Sequence, residues 1–203
     1  MDRRARAWQI LESADLIHGA AAVDAAIARV AAEIATKLKD QYPLVLSVMG
    51  GAVVFTGRIL PMLNFPLDFD YIHASRYGAA TGGGAVDWKV EPKGNVAGRA
   101  VLVLDDILDI GDTMLAIRER VLGLGASAFY SAVLTDKTKG RAKPINADFV
   151  GLSLPDRYVF GCGMDAYGLW RNLPAIYALK EEKGEHRSET PPQAVAHPGR
   201  CRP

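Results

Sequence analysis

The run Val101-Leu-Val-Leu-Asp-Asp-Ile-Leu-Asp-Ile-Gly-Asp-Thr-Met114 constrains this chain more than any other segment. Arg99 to Leu104 is the strongest buried-strand signal, and adjacent acids, Asp105 and Asp106, follow it at once. A short loop holding Asp109, Gly111 and Thr113 comes next. Thr113 to Leu124 then reads as a helix, with Gly125 at its end. A strand that passes through a short loop into a helix is the unit of a parallel α/β sheet, and such sheets bind ligands beyond the carboxyl ends of their strands. Loop amides at a helix N-terminus suit a phosphate, and Gly111 lets the backbone turn toward one. Ionised carboxylates only accept hydrogen bonds, so Asp105 and Asp106 suit a sugar diol. The segment therefore reads as a cradle for a sugar phosphate. A plainer alternative has the two acids ending a strand and Asp109 capping a helix. The length of the whole pattern argues against it.

The rest of the chain fits the same class. Residues 8–17 and 20–39 are Ala-rich, and Val23, Ile27, Val30, Ile34 and Leu38 recur at helical spacing. Pro43 to Met49 reads as a buried strand, Gly50-Gly51 interrupts it, and Ala52 to Leu63 reads as a helix weakened near Pro61. Phe69 to Ala74, Trp88 to Val90, Ser127 to Thr135 and Phe149 to Leu154 read as further strands. Ser75 to Val86, with Gly78 and Gly82 to Gly84, reads as a mobile loop. Strands alternating with helices predict a mostly parallel sheet with helices on both faces.

Composition narrows the function classes. The chain has 203 residues and 24 basic against 23 acidic side chains, a net charge of +1. That balance supplies no bulk attraction to nucleic acid or to an anionic membrane. Met1 to Ala14 lacks the apolar run of a signal peptide, and no segment reads as a membrane span. The two cysteines, Cys162 and Cys201, show no metal-ligand spacing and suggest no structural disulfide. A cytoplasmic setting is expected.

The acidic string resembles the phosphoribosyl pyrophosphate signature of type I phosphoribosyltransferases. From about Leu16 to Leu179 the chain resembles, more narrowly, the hypoxanthine-guanine phosphoribosyltransferase family. The resemblance implies a type I phosphoribosyltransferase fold as one domain over residues 1–181. That domain would comprise a helical layer over 8–39, a core over 43–136 and a base-binding hood mainly over 137–181, with a disordered tail over 182–203. By resemblance, Asp105 and Asp106 hold the ribose hydroxyls, Asp109 is the candidate general base near N7 of a purine, and Ile110, Gly111, Asp112 and Thr113 form the 5-phosphate loop. Lys137 matches a lysine that donates to the 6-oxo group; a lysine only donates, so it favours a 6-oxopurine over a 6-aminopurine. Tyr158 would stack on the base, Val159 would meet its edge through the backbone, and Asp165 would lie near the 2-position. Arg171, with Met49, Gly50 and Gly51, would meet pyrophosphate. Arg76 and Tyr77 would head a catalytic flap over the loop from Ser75 to Val86. Mg²⁺ is the implied cofactor, reached mostly through water from Asp105, Asp106 and Asp165. Phosphoribosyl pyrophosphate and a 6-oxopurine are the implied partners, and a homodimer or homotetramer the implied assembly.

Several positions depart from the family pattern. Met49 stands where lysine is frequent, and Arg76 replaces a serine and offers a positive charge in exchange. Ile110 lacks a hydroxyl usual in the phosphate loop. Asp112 either caps its helix toward solvent or weakens phosphate affinity. A non-proline cis peptide is expected at Val48–Met49. Two other readings have requirements of their own. A non-catalytic regulator sensing phosphoribosyl pyrophosphate or a nucleotide would need a basic patch or a helix-turn-helix, and neither is legible. A phosphoacceptor receiver domain needs its acidic pair on the first strand, whereas here the pair follows two strands and a long loop.

Overall fold

The fold is that of a computed structural model, which describes residues 2–76, 86–92, 95–140 and 142–180; the side chains of Ser75, Arg76 and Val86 are outside that description. The chain runs α1 (Arg3–Ser13), β1 (Asp15–His18), α2 (Ala20–Leu38), β2 (Leu44–Val48), α3 (Val53–Ile59), a 3-10 turn (Leu60–Met62), β3 (Asp68–Arg76), β4 (Val86–Val90), β5 (Ala100–Leu108), α4 (Asp112–Gly123), β6 (Ala128–Lys137), β7 (Phe149–Leu154), β8 (Val159–Phe160) and β9 (Ile176–Ala178). Of the expected mobile loop, Ser75 and Arg76 instead extend β3 and Val86 opens β4, because the two strands pair through Ser75↔Asp87 and Arg76↔Val86; residues 77–85, including Tyr77, and the tail from residue 182 lie outside the described residues.

The main sheet has six strands in the order β4-β3-β2-β5-β6-β7. All neighbours are parallel except the edge strand β4, which pairs antiparallel with β3. Alternation along the central strands divides the core in two. Leu102 and Leu104 of β5 face the side of α2 and α3, where Val30, Ile34, Phe55 and Ile59 meet them. Val101 and Val103 face the other side, with Ile117 and Val121 of α4. The period of two in the strands thus buries both faces, as the sequence implied.

A second sheet, β1-β9-β8, is antiparallel and small. It corrects the sequence reading of 8–17 as continuous helix: α1 stops at Ser13, and Asp15 to His18 pairs with β9 through Asp15↔Ala178 and Leu16↔Tyr177. Long-range pairing overrides the local Ala-rich preference. Val159, Met164, Ile176 and Ala178 join the α2-side core, so the small sheet is continuous with the large one in packing.

A second correction concerns β5, which runs on to Leu108 rather than stopping at Leu104. Its pairing with β2 ends at Ser47↔Leu104, but its pairing with β6 continues to Leu108↔Asp136. From Asp105 onward β5 keeps one neighbour and loses the other. The successor of β2 lies on one side of it and β5 on the other, so the chain changes direction here. Such switch points open a crevice at the strand ends.

Because Leu102 is fully buried between β2 and β6, Leu102→Ala should destabilise the fold by about 2–5 kcal/mol. Urea titration followed by circular dichroism reads this as a lower midpoint with an unchanged slope. An unshifted midpoint would contradict the placement of β5 at the centre.

Candidate active site

The crevice beyond β2 and β5 has two connected lobes, of about 360 and 240 Å³. Asp106, Ile107, Asp109 and Arg171 line both. The larger lobe brings together Met49, Gly51, Asp105, Ile110, Gly111, Asp112 and Thr113. The smaller brings together Lys137, Tyr158, Val159 and Asp165. The residues singled out from sequence therefore converge, with two exceptions. Gly50 is not among the lining residues, and of the flap pair the Arg76 side chain and all of Tyr77 lie outside the described residues.

One wall of the larger lobe is the start of α4. Gly111 is its N-cap, with φ +99°, and no side chain caps the helix. A left-handed φ of this kind favours glycine. Leu115 is the amide that reaches back to the Gly111 carbonyl, at 2.9 Å. The amides before it have no acceptor within the helix, as at any helix start. Ile110 to Met114 line the lobe at this positive end of the helix dipole. Asp112 stands in the first turn.

The opposite wall is a junction of close backbone contacts. The cis peptide lies at Met49–Gly50 rather than at Val48–Met49. The reason is visible in the ladder: the Met49 amide donates to the Ile72 carbonyl at 2.8 Å, so the strand geometry persists through Val48–Met49. A Cβ on Gly51 would lie 2.1 Å from Asp106 Oδ2. One on Gly163, which has φ +106°, would lie 1.9 Å from the Gly51 carbonyl oxygen. Two glycines thus stack the hood segment, the turn after β2 and the acid of β5 against each other.

The acids themselves differ sharply. Burial pushes Asp105 well above the ordinary carboxylate range, and the neighbouring Asp106 charge adds to this. Burial also raises Asp106, opposed by Asp105 as a hydrogen-bond partner and by the Arg171 charge. The Asp106 carbonyl accepts a hydrogen bond from Thr135 Oγ1 of β6 at 2.8 Å, which fixes the backbone of the pair. Buried like charges this close indicate a functional site more than a stabilising one.

Asp109 goes the other way. Burial would raise it, but Lys139 and Lys137 outweigh burial and hold it below the ordinary range. Lys139 Nζ lies 2.8 Å from Oδ1 and Lys137 Nζ 3.3 Å from Oδ2. Arg171 donates from Nη1 to the Gly163 carbonyl at 2.7 Å, and its Nη2 pairs with Asp165 Oδ1. The Gly168 amide donates to Asp165 Oδ2 at 2.6 Å. Tyr158 stacks with Tyr167, their centroids 5.8 Å apart at an interplanar angle of 16°.

Sequence reasoning missed Lys139 and the buttress of the loop between β5 and α4. Lys143 Nζ donates to the Leu108 carbonyl at 2.6 Å and pairs with Asp136. Pro144 and Ile145 pack within 3.4 Å of where a Cβ of Gly111 would stand. A lysine two positions from Lys137 was visible, but nothing local showed that its partner would be Asp109.

Known proteins resemble this chain in sequence and in fold. The phosphoribosyl transferase domain model matches residues 13–167. A hypoxanthine-guanine phosphoribosyltransferase of Bacillus subtilis (strain 168) is 35% identical over 150 residues, covering 73% of this chain and 83% of the relative. A hypoxanthine-guanine-xanthine phosphoribosyltransferase of Tritrichomonas foetus is 35% identical over 156 residues, covering 76% and 85%. A solved ternary substrates complex of a variant hypoxanthine phosphoribosyltransferase of Trypanosoma cruzi superposes with a TM-score of 0.77 at 29% identity, covering 83% of this chain and 97% of that one.

The lowered Asp109 gives a signed pH prediction. Its pairing stabilises the folded chain above the unfolded carboxylate value of about 4 and is lost as pH falls through the lower folded value. Asp109→Asn should therefore be less stable than wild type at neutral pH, the gap closing as pH is lowered. Thermal midpoints from pH 3 to 7 measure it. A gap that is constant with pH would sink the ion-pair account.

Proposed function

The chain belongs to the phosphoribosyltransferase family, and from that premise we propose that it is a hypoxanthine-guanine phosphoribosyltransferase of purine salvage. It transfers the 5-phosphoribosyl group of phosphoribosyl pyrophosphate to N9 of a 6-oxopurine and releases pyrophosphate. A bond from N9 to the ribose 1-carbon forms, and the bond from that carbon to the pyrophosphate oxygen breaks. The observation that carries this reading is a single cleft that joins an uncapped helix start, an acidic pair and a lysine beside an aromatic ring.

Each wall has a task in that reaction. The amides at the start of α4 take the 5-phosphate, and Asp105 and Asp106 take the ribose hydroxyls. Arg171, aimed by Gly163 and Asp165, meets the pyrophosphate. Tyr158 is 46% exposed, leaving ring surface for a base to stack on. Lys137 donates to the 6-oxo group.

Asp109 is the nearest carboxylate to Lys137 and so to the N7 edge of a base held there. A general base works best with a pKa near the operating pH. Two lysines move Asp109 in the other direction. It therefore acts as a permanently ionised acceptor that binds the N7 proton and raises electron density at N9.

The donor set fits Mg²⁺. Among the described residues no cluster of three or more His, Cys, Asp or Glu could hold a metal alone. Asp105 and Asp106 offer oxygens within the larger lobe and Asp165 in the smaller. Magnesium prefers a site of this kind, built of few carboxylates, water and substrate phosphates. When bound, it would neutralise charge developing on the departing pyrophosphate. Among the described residues no helix is long and apolar enough to cross a membrane. The reading carries with it a cytoplasmic enzyme that works as a homodimer or homotetramer.

A nucleobase panel assay with phosphoribosyl pyrophosphate, with and without Mg²⁺, tests the proposal. Hypoxanthine or guanine should give the monophosphate only with the metal, and adenine should give none. A folded chain that converts no 6-oxopurine would overturn it. Asp109→Asn should lower kcat at least about ten-fold while the KM for either substrate moves less, consistent with a group that acts in the transition state. Steady-state kinetics reads this directly.

A further inference from the structure

We infer that Lys139 is a positioning residue for the transfer reaction, a fixed counter-cation that aims Asp109 and ties it to the turn carrying Tyr158. The inference rests on the proposed function and adds to it a residue outside the lining of the cleft.

Three observations support it. First, the two lysines on Asp109 are not equivalent. Lys137 lines the smaller lobe and meets Oδ2 at 3.3 Å. Lys139 meets Oδ1 at 2.8 Å and does not line either lobe. Second, Oδ1 is shut off from solvent and accepts no hydrogen bond, so the Lys139 ammonium is the ion-pair partner that compensates its charge. Third, Lys139 bridges to a second carboxylate, Asp156 Oδ1, at 3.2 Å. Asp156 sits in the turn between β7 and β8, two residues before Tyr158. Lys139 is itself only 16% exposed. The bridge joins the loop after β5 to the hood across the mouth of β6.

The chemistry divides the work between the two cations. When a 6-oxopurine enters, Lys137 turns part of its donor capacity to the 6-oxo oxygen. Asp109 Oδ2 is then available to the N7 proton. Without a second cation, the carboxylate would be left half-buried with its main partner diverted, and it would be free to rotate. Lys139 prevents both: it compensates the charge at Oδ1 and keeps Oδ2 turned toward the base. Lysine also matches the placement in shape, because a compact ammonium with three donors serves two carboxylates at once.

The experiment is a kinetic double-mutant cycle on the full chain. Lys139→Met should lower kcat roughly ten-fold, the scale of one charge-assisted contact. The KM for phosphoribosyl pyrophosphate should stay within about two-fold, because the sugar-phosphate lobe is untouched. Lys139→Arg should restore most of kcat. In the Asp109→Asn background, Lys139→Met should cost little more, since its effect runs through Asp109. If Lys139→Met does not fold, Lys139→Gln keeps a polar donor on a side chain one bond shorter while removing the charge, and the same cycle applies. Wild-type kcat in Lys139→Met or Lys139→Gln would overturn the inference, as would an effect that multiplies fully with Asp109→Asn. Wild type inert toward every 6-oxopurine would take down the proposed function and this inference together; an active wild type with an indifferent Lys139 removes only the inference.

Discussion

The site depends on a mismatch in strand length. β5 continues to Leu108 beside β6, while its ladder with β2 stops at Leu104. Had β2 run equally far, Asp105 to Leu108 would lie in the middle of a sheet with neighbours on both sides. Instead their backbone is held on one side and open on the other. Thr135 then fixes the carbonyl of Asp106 from β6. Gly51 and Gly163 let the turn after β2 and the hood approach Asp106 closely. The acids are rigid because of β6 and accessible because of β2.

Rigidity has an electrostatic consequence. Two carboxylates on one strand end are driven in one direction, and a third, only a few residues on, is driven in the other. Asp105 and Asp106 are raised because they are buried against each other. Asp109 is lowered because two lysines from the β6 end reach it. Titratable groups whose environments push them apart mark a division of labour. The pair is held where burial and mutual repulsion oppose its charge, whereas two cations favour the charge of Asp109.

What the sequence disclosed follows from the range of each interaction. The β5–loop–α4 unit was legible because its signals are local: a run of apolar residues, a glycine that must take a positive φ, and a helix that starts at once. The two-sided parallel sheet was legible for the same reason, through uninterrupted apolar strands. The small sheet was not. Its strands span Asp15–His18, Val159–Phe160 and Ile176–Ala178, too short to show a period. They exist only because residue 15 meets residue 178. The true end of β5 was hidden likewise, since the acids that interrupt its apolar run are held in the ladder by β6. The cis bond falls one residue beyond the expected Val48–Met49, just after the Met49–Ile72 hydrogen bond.

The same rule separates the two lysines. Lys137 was found from its place in a motif, and its partner on the substrate follows from the direction of its donors. Lys139 carries no such mark. Its two carboxylates come from the loop after β5 and the turn after β7, segments that the chain separates by more than forty residues and the sheet order brings to either side of β6. A residue that touches substrate can be recognised by the chemistry of the substrate. A residue that aims another residue is defined only by the fold, and its identity therefore emerges once the strands are in register.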